Sequence, residues 1–330
     1  MYLKITGLLT AAISFAGFAG AATDIVIPVS WTASPVMESC EGPSVGGNSW
    51  FDPLFRADDW KSQSLPDSNA IQGDKPSDKF YRGMFETSGT EHILLQWRSD
   101  DGSWIYLNGK LLAHEGGDCH QGGCVNMRCG NGVGPGGLLD LSPHIKAGTN
   151  LLAVHLSNGG CCGASFDARL LRGVGMVPVD WTASPVLNDC EGPEIAGRKW
   201  HENVYAADDW QPVKMPDINP IPWNKPGDRF YRGYFIPTTG RRHLLKWQSD
   251  DGSWVYINGR LFTHEGGACH AGGTGNGLLD ITPRLTSEVN LVAIHLSNMP
   301  VCCGSLLSAT VLAVDSPDEN QADAVLKELF

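Results

Sequence analysis

The sequence predicts an all-β chain: two tandem antiparallel β-sandwich domains of jelly-roll type, followed by a short C-terminal helix. Three observations point there. The chain repeats itself at the spacing of one domain, each copy alternates short apolar runs with turn residues, and neither copy holds a long 3.6-residue periodicity. The 40 Gly and 20 Pro among 330 residues follow no G-X-Y period, so they mark turns rather than collagen. A hydrophobic content of 42% is enough for two cores and excludes a disordered chain. The formal charge of −12 argues against a nucleic-acid partner, which requires a basic face.

The elements follow in order. Lys4, the uncharged run Ile5 to Phe18 and the small-residue pattern Ala19-Gly20-Ala21 predict a signal peptide over residues 1–22. The run is too short and too rich in small residues for a membrane span, so a soluble, secreted, extracellular protein is expected. The first domain then occupies 23–173 and the second 174–314. Trp31-Thr32-Ala33-Ser34-Pro35-Val36 recurs as Trp181 to Val186, Phe80-Tyr81-Arg82-Gly83 as Phe230 to Gly233, and Ser99-Asp100-Asp101-Gly102-Ser103-Trp104 as Ser249 to Trp254, at an offset of 150. The offset is 140 by Asp140 and Asp280, which places ten extra residues in the first copy between Gly123 and Leu138. Asn108-Gly109 and Asn258-Gly259, each between apolar runs, predict tight hairpins, because both turn positions need positive φ. Asn150 to Leu156 and Asn290 to Leu296 read as buried strands. In 315–330, Ser316, Pro317 and Glu319 form a helix start, and Ala322, Val325, Leu326 and Leu329 share one face that would dock on a domain.

Taken together, several motifs resemble a galactose-binding-domain-like jelly roll. Asp208-Asp209-Trp210 with Met215-Pro216, then Phe230-Tyr231-Arg232, Val255 to Gly259 and Leu279-Asp280-Ile281, resemble the non-catalytic sugar-binding domain of β-galactosidase-type glycoside hydrolases. Ser99-Asp100-Asp101-Gly102-Ser103 before an aromatic strand, with Asn158-Gly159-Gly160, resembles the protective-antigen, flocculin and fibro-slime lectin domain. The second resemblance implies a non-proline cis bond within each Asp pair, and a Ca²⁺ held by that pair and a later Asn, with sugar hydroxyls completing the shell. The metal ligands would be Asp100, Asp101 and Asn158 in the first repeat and Asp250, Asp251 and Asn298 in the second. Calcium takes six to eight oxygen ligands, and neighbouring strand residues point to opposite faces, so the pair converges only on irregular backbone. On the alternative reading one Asp caps a turn and the other is solvated. The second copy has Met299-Pro300 where the first has Gly159-Gly160.

Further candidate ligand-binding residues are Trp104, Tyr106, His114, Glu115 and His120, matched by Trp254, Tyr256, His264, Glu265 and His270. Trp104 and Tyr106 share a strand face; exposed they would stack on sugar rings, buried they are core. His114, Glu115 and His120 could also hold zinc, but their spacing is not that of a helical H-E-x-x-H site. The ten cysteines suit an oxidising compartment: Cys40, Cys119, Cys161 and Cys162 in one copy, Cys190, Cys269, Cys302 and Cys303 in the other, and Cys124 with Cys129 in the insertion. Four cysteines allow three pairings. No nucleophile elbow, P-loop or dinucleotide fingerprint occurs. The expected function is therefore non-catalytic binding of carbohydrate or glycoconjugate, one calcium-assisted site per repeat. A structural matrix or cell-surface protein without a sugar site is the first alternative, an unrecognised glycoside-acting hydrolase the second.

Overall fold

The computed structural model describes residues 25–115, 118–120, 137–160, 163–222, 225–299 and 305–315. The expected signal peptide, the tail helix beyond Asp315, and Cys124, Cys129, Cys161, Cys162, Cys302 and Cys303 lie outside the described residues.

Each repeat is a β-sandwich. In the first, a six-stranded antiparallel sheet runs in the order Lys110–Glu115, Gly102–Leu107, Gly148–Asn158, Ser77–Thr87, Ser30–Ala33, Lys61–Gln63. The facing five-stranded sheet runs Val26–Ile27, Ala164–Arg172, Ile93–Asp100, Gly137–Asp140, with Asp67–Ile71 also paired to Ala164–Arg172. The second repeat has the same plan, centred on Asn290–Asn298 and Arg242–Asp250. Both hairpins form where Asn-Gly predicts them, with φ of 50° and 89° at Asn108 and Gly109 and 47° and 82° at Asn258 and Gly259.

The apolar runs from Asn150 and Asn290 form the central strands, and both faces of each are covered. Leu152, Val154 and Leu156 point into the sandwich core with Trp31, Tyr81, Trp97 and Phe166. Leu151 and Ala153 point outward, under a lid of Trp50, Phe55 and Trp60 from the long connection that follows Ala33. A strand buried on both sides reads as a continuous apolar run rather than an alternation. Arg82 secures the lid. Its guanidinium donates to the carbonyls of Trp50, Asp52 and Phe55, tying three points of the lid backbone to the sheet. Arg232, fully buried, does the same for Trp200, Glu202 and Tyr205. Trp60 and Trp210 are buried in these lids.

The repeats also share a core. Leu94 and Leu171 on the outer face of one five-stranded sheet pack with Leu244, Leu278 and Leu312 on the outer face of the other. The expected boundary falls at Gly173, whose φ of 74° turns the chain between the strands Ala164–Arg172 and Val174–Val177. Cys40 pairs with Cys119 and Cys190 with Cys269, each with Cα atoms 5.8 Å apart. Of the three pairings open to each set of four cysteines, these bonds belong to the one joining the two members distant in sequence.

Candidate functional site

Strand Ile93–Asp100 ends and strand Gly102–Leu107 begins around the first Asp pair, and the second repeat copies the junction at Asp250 and Asp251. Both Asp-Asp peptide bonds are cis, as the lectin resemblance implied. Asp101 accepts a hydrogen bond at Oδ2 from the amide of Gly159 at 2.8 Å, and Asp251 accepts one from the amide of Met299 at 2.8 Å. The Asp junction therefore sits against the residue that follows Asn158 or Asn298. In the second repeat a Gly-rich loop folds over the junction. The Gly273 amide donates to Asp251 Oδ1 at 3.4 Å, and a Cβ on Gly266 would lie 2.7 Å from Gly252 Cα.

Both asparagines are fully buried. Each uses its amide nitrogen on a backbone carbonyl, Asn158 on Lys75 at 3.0 Å and Asn298 on Lys225 at 3.1 Å. That contact fixes the amide orientation, because a carbonyl can only accept. The other end, Oδ1, is buried without a partner in both repeats. A buried acceptor left unmatched costs about 1–3 kcal/mol, and both repeats carry the same one. Burial, then the charge of Asp101, raises the Asp100 carboxyl above its ordinary range. Burial raises Asp101 too, against the lowering effect of the Gly159 amide. Adjacent carboxylates with an orphaned amide oxygen make an all-oxygen donor set, which suits a hard cation such as Ca²⁺.

The other candidate residues disperse. Trp104 is half-buried within a cross-strand ladder of stacked rings: Phe80 to His155 at 4.6 Å, His155 to Trp104 at 4.5 Å, Trp104 to His114 at 4.3 Å. Phe230, His295, Trp254 and His264 form the same ladder, with His114 and His264 at the exposed ends. Tyr106 stacks on Phe51 at 4.5 Å and Tyr256 on His201 at 4.2 Å, both beneath the lids. Glu265 is exposed. Glu115 lines a cavity of about 510 Å³ between the repeats, with Trp97, Met176, Lys246 and Trp247 also in its wall. Glu115 Oε2 is buried there without a partner, and burial pushes its carboxyl up to about 7.

His120 and His270 take part in a cluster that the sequence motifs did not point to. His120 and His155 each donate from Nε2 to the fully buried Asp78, at 2.6 and 2.7 Å, and His270 and His295 do so to Asp228, at 2.8 and 2.7 Å. Burial pushes the Asp78 carboxyl up, but its hydrogen bonds and charge contact with the imidazoles outweigh this and hold it below its ordinary value. One signal was available: Asp78 and Asp228 match across the repeats two residues before Phe80-Tyr81-Arg82-Gly83 and its copy, and His155 and His295 interrupt the two apolar runs.

No protein family matches the chain, nor does any curated protein. Among solved structures, a calcium-binding mutant of Bacteroides uniformis β-glucuronidase 2 aligns at 13% identity and TM-score 0.33, over 83% of this chain and 27% of its own. A glycosyl hydrolase family 2 member from Bacteroides cellulosilyticus aligns at 10% identity and TM-score 0.32, over 88% and 31%. An anti-sigma factor domain-containing protein aligns at 12% identity and TM-score 0.25, over 86% and 93%. The chain thus spans less than a third of the length of the two glycosidases. None of the three is similar enough for its activity to be carried over.

Proposed function

We propose that each repeat is a calcium-assisted carbohydrate-binding module, and that the chain is an exported, non-catalytic protein presenting two such sites. The orphaned Asn158 and Asn298 Oδ1 atoms carry this reading, since each is buried without a hydrogen-bond partner one residue before the amide that binds the aspartate junction. Asp100, Asp101 and Asn158 would hold the first ion, and Asp250, Asp251 and Asn298 the second. When bound, Ca²⁺ offers open coordination positions to paired hydroxyls, which is how a well-hydrated sugar can be recognised without an apolar pocket. The chain's own contribution is to bring the two aspartates together at the strand junction, to aim the amide oxygen by tying its nitrogen to a backbone carbonyl and, in the second repeat, to cover one side with the glycine loop. Asp101 accepts a backbone amide at one oxygen and Asp251 at both, which fixes each carboxylate plane. The shared leucine core joins the two repeats, and two tethered sites gain by effective concentration on a polymeric glycan that spans them.

A glycan array read with Ca²⁺ and again with EDTA tests this. The expected result is binding to a restricted set of glycans that EDTA abolishes. Binding unaffected by EDTA contradicts the calcium assignment, and no binding in either condition favours a structural role.

A further inference from the structure

The two described disulfides, Cys40–Cys119 and Cys190–Cys269, sit among side chains that a purely structural crosslink does not need. Cys40 Sγ lies 3.8 Å from His120 Nδ1, and Cys119 Sγ lies 3.3 Å from Asp78 Oδ1. One donor atom from each of Cys40, Asp78, Cys119 and His120 falls within 4.8 Å of the other three, and Cys190, Asp228, Cys269 and His270 repeat the arrangement. We propose that each disulfide is the oxidised form of a zinc site, and that reduction of Cys40–Cys119 and Cys190–Cys269 gives Zn²⁺ a Cys₂-His-Asp ligand set in each repeat.

The dimensions fit. Tetrahedral zinc with bonds of about 2.0–2.3 Å separates neighbouring ligand atoms by roughly 3.4–3.8 Å. The sulfur-to-nitrogen and sulfur-to-oxygen separations already lie close to that range, so the main movement required is the parting of the two sulfurs. Outer contacts are present as well. His155 donates to Asp78 Oδ1, and the Ser39 amide donates to Asp78 Oδ2 at 3.1 Å, so the carboxylate is oriented before any metal arrives. Charge points the same way: two thiolates and a buried carboxylate repel one another, and a divalent cation neutralises them. The arrangement also survives a change in the adjoining chain, because the first repeat carries ten more residues after Gly123 and still places Cys119 and His120 as the second places Cys269 and His270.

The chemistry balances with a dithiol as reductant. The dithiol passes two electrons and two protons to the disulfide and leaves as its own disulfide, so Cys40 and Cys119 become thiols. Zinc then displaces the two thiol protons to water and takes both sulfurs, one His120 ring nitrogen and one Asp78 oxygen. Reoxidation by thiol–disulfide exchange, in which a small disulfide takes the two electrons and leaves as its dithiol, expels the ion, since disulfide sulfurs are poor ligands. The soft-donor zinc site and the all-oxygen calcium site would therefore answer to different metals within one repeat.

The test uses the full chain, reduced with dithiothreitol, desalted without oxygen and titrated with Co²⁺ as a visible stand-in for zinc. The expected result is thiolate-to-cobalt charge-transfer absorption with the visible bands of a tetrahedral ion, saturating at one ion per repeat, bleached by Zn²⁺ and absent from the oxidised protein. Cys119→Ser with Cys269→Ser should abolish that spectrum with every other cysteine intact. His120→Ala with His270→Ala should weaken cobalt binding at least about tenfold. A reduced wild-type protein that shows no tetrahedral spectrum overturns the proposal, and this comparison does not depend on any variant folding. So does a spectrum retained in the double serine variant, which would place the ion on other cysteines.

Discussion

At the scale of single residues, buried polar groups organise each repeat. Asp78 is fully buried and satisfied by two imidazoles, so removing it strands both. Asp78→Ala is expected to cost about 3–5 kcal/mol, because breaking a buried polar pair leaves an uncompensated partner; urea denaturation measures this, and Asp228→Ala should match it. The Asp pair behaves in the opposite sense. Asp100 and Asp101 have folded-state pKa values raised above the ordinary value of about 3.9. In metal-free protein the native state then holds their protons more tightly than the unfolded chain, so stability falls as pH rises from the ordinary carboxyl range through the raised values. On the proposed reading, Ca²⁺ would bind the ionised form. The stabilisation it adds to the thermal midpoint is therefore expected to shrink as the pH is lowered into that range, whereas a midpoint shift independent of pH would contradict ionised aspartates as its ligands.

At the scale of elements, glycine positions separate two kinds of constraint. Gly109 has positive φ but open space around it: a Cβ there would meet nothing nearer than Pro53 Cδ, at 3.7 Å. Gly277 has an ordinary backbone, but a Cβ there would lie 2.1 Å from the Trp247 ring. Gly109→Ala is expected to cost about 1 kcal/mol, the penalty of a left-handed L-residue. Gly277→Ala is expected to cost at least about 2 kcal/mol, since the indole must leave its packed position. Equal costs in chemical denaturation would refute this distinction. The hairpins were legible because Asn-Gly is local chemistry, and the central strands because an apolar run survives burial on both faces. The Asp78 and Asp228 clusters were not legible, because Asp78 meets His155 across 77 positions of chain and single residues carry no mark of such a contact. Glu115 and His120, close neighbours in sequence, end in different surroundings because the cavity wall and the Asp78 cluster are drawn from distant parts of the chain.

At the scale of the whole molecule, the duplication is not a pair of independent beads. The leucine seam joins the outer faces of the five-stranded sheets, and beside it lies the cavity where Glu115 is partnerless at Oε2. With its pKa pushed up to about 7, Glu115 stays neutral in the native state well above the pH at which the unfolded chain ionises it. Its stabilising share is present at low pH and lost as pH rises from about 4.5 through 7. Glu115→Gln is therefore expected to be more stable than wild type by about 1–3 kcal/mol at pH 8 and to match it near pH 4; a difference independent of pH would show that the carboxyl is not buried in this way. The central claim, one oxygen-ligand cation site per repeat, is tested most directly by calorimetric titration with Ca²⁺ of the wild-type chain and of Asn158→Ala and Asn298→Ala separately and together. The account predicts two sites in the wild type, one in each single variant and none in the double variant. Saturable binding that is unchanged in the double variant, or no binding by the wild type, would contradict it.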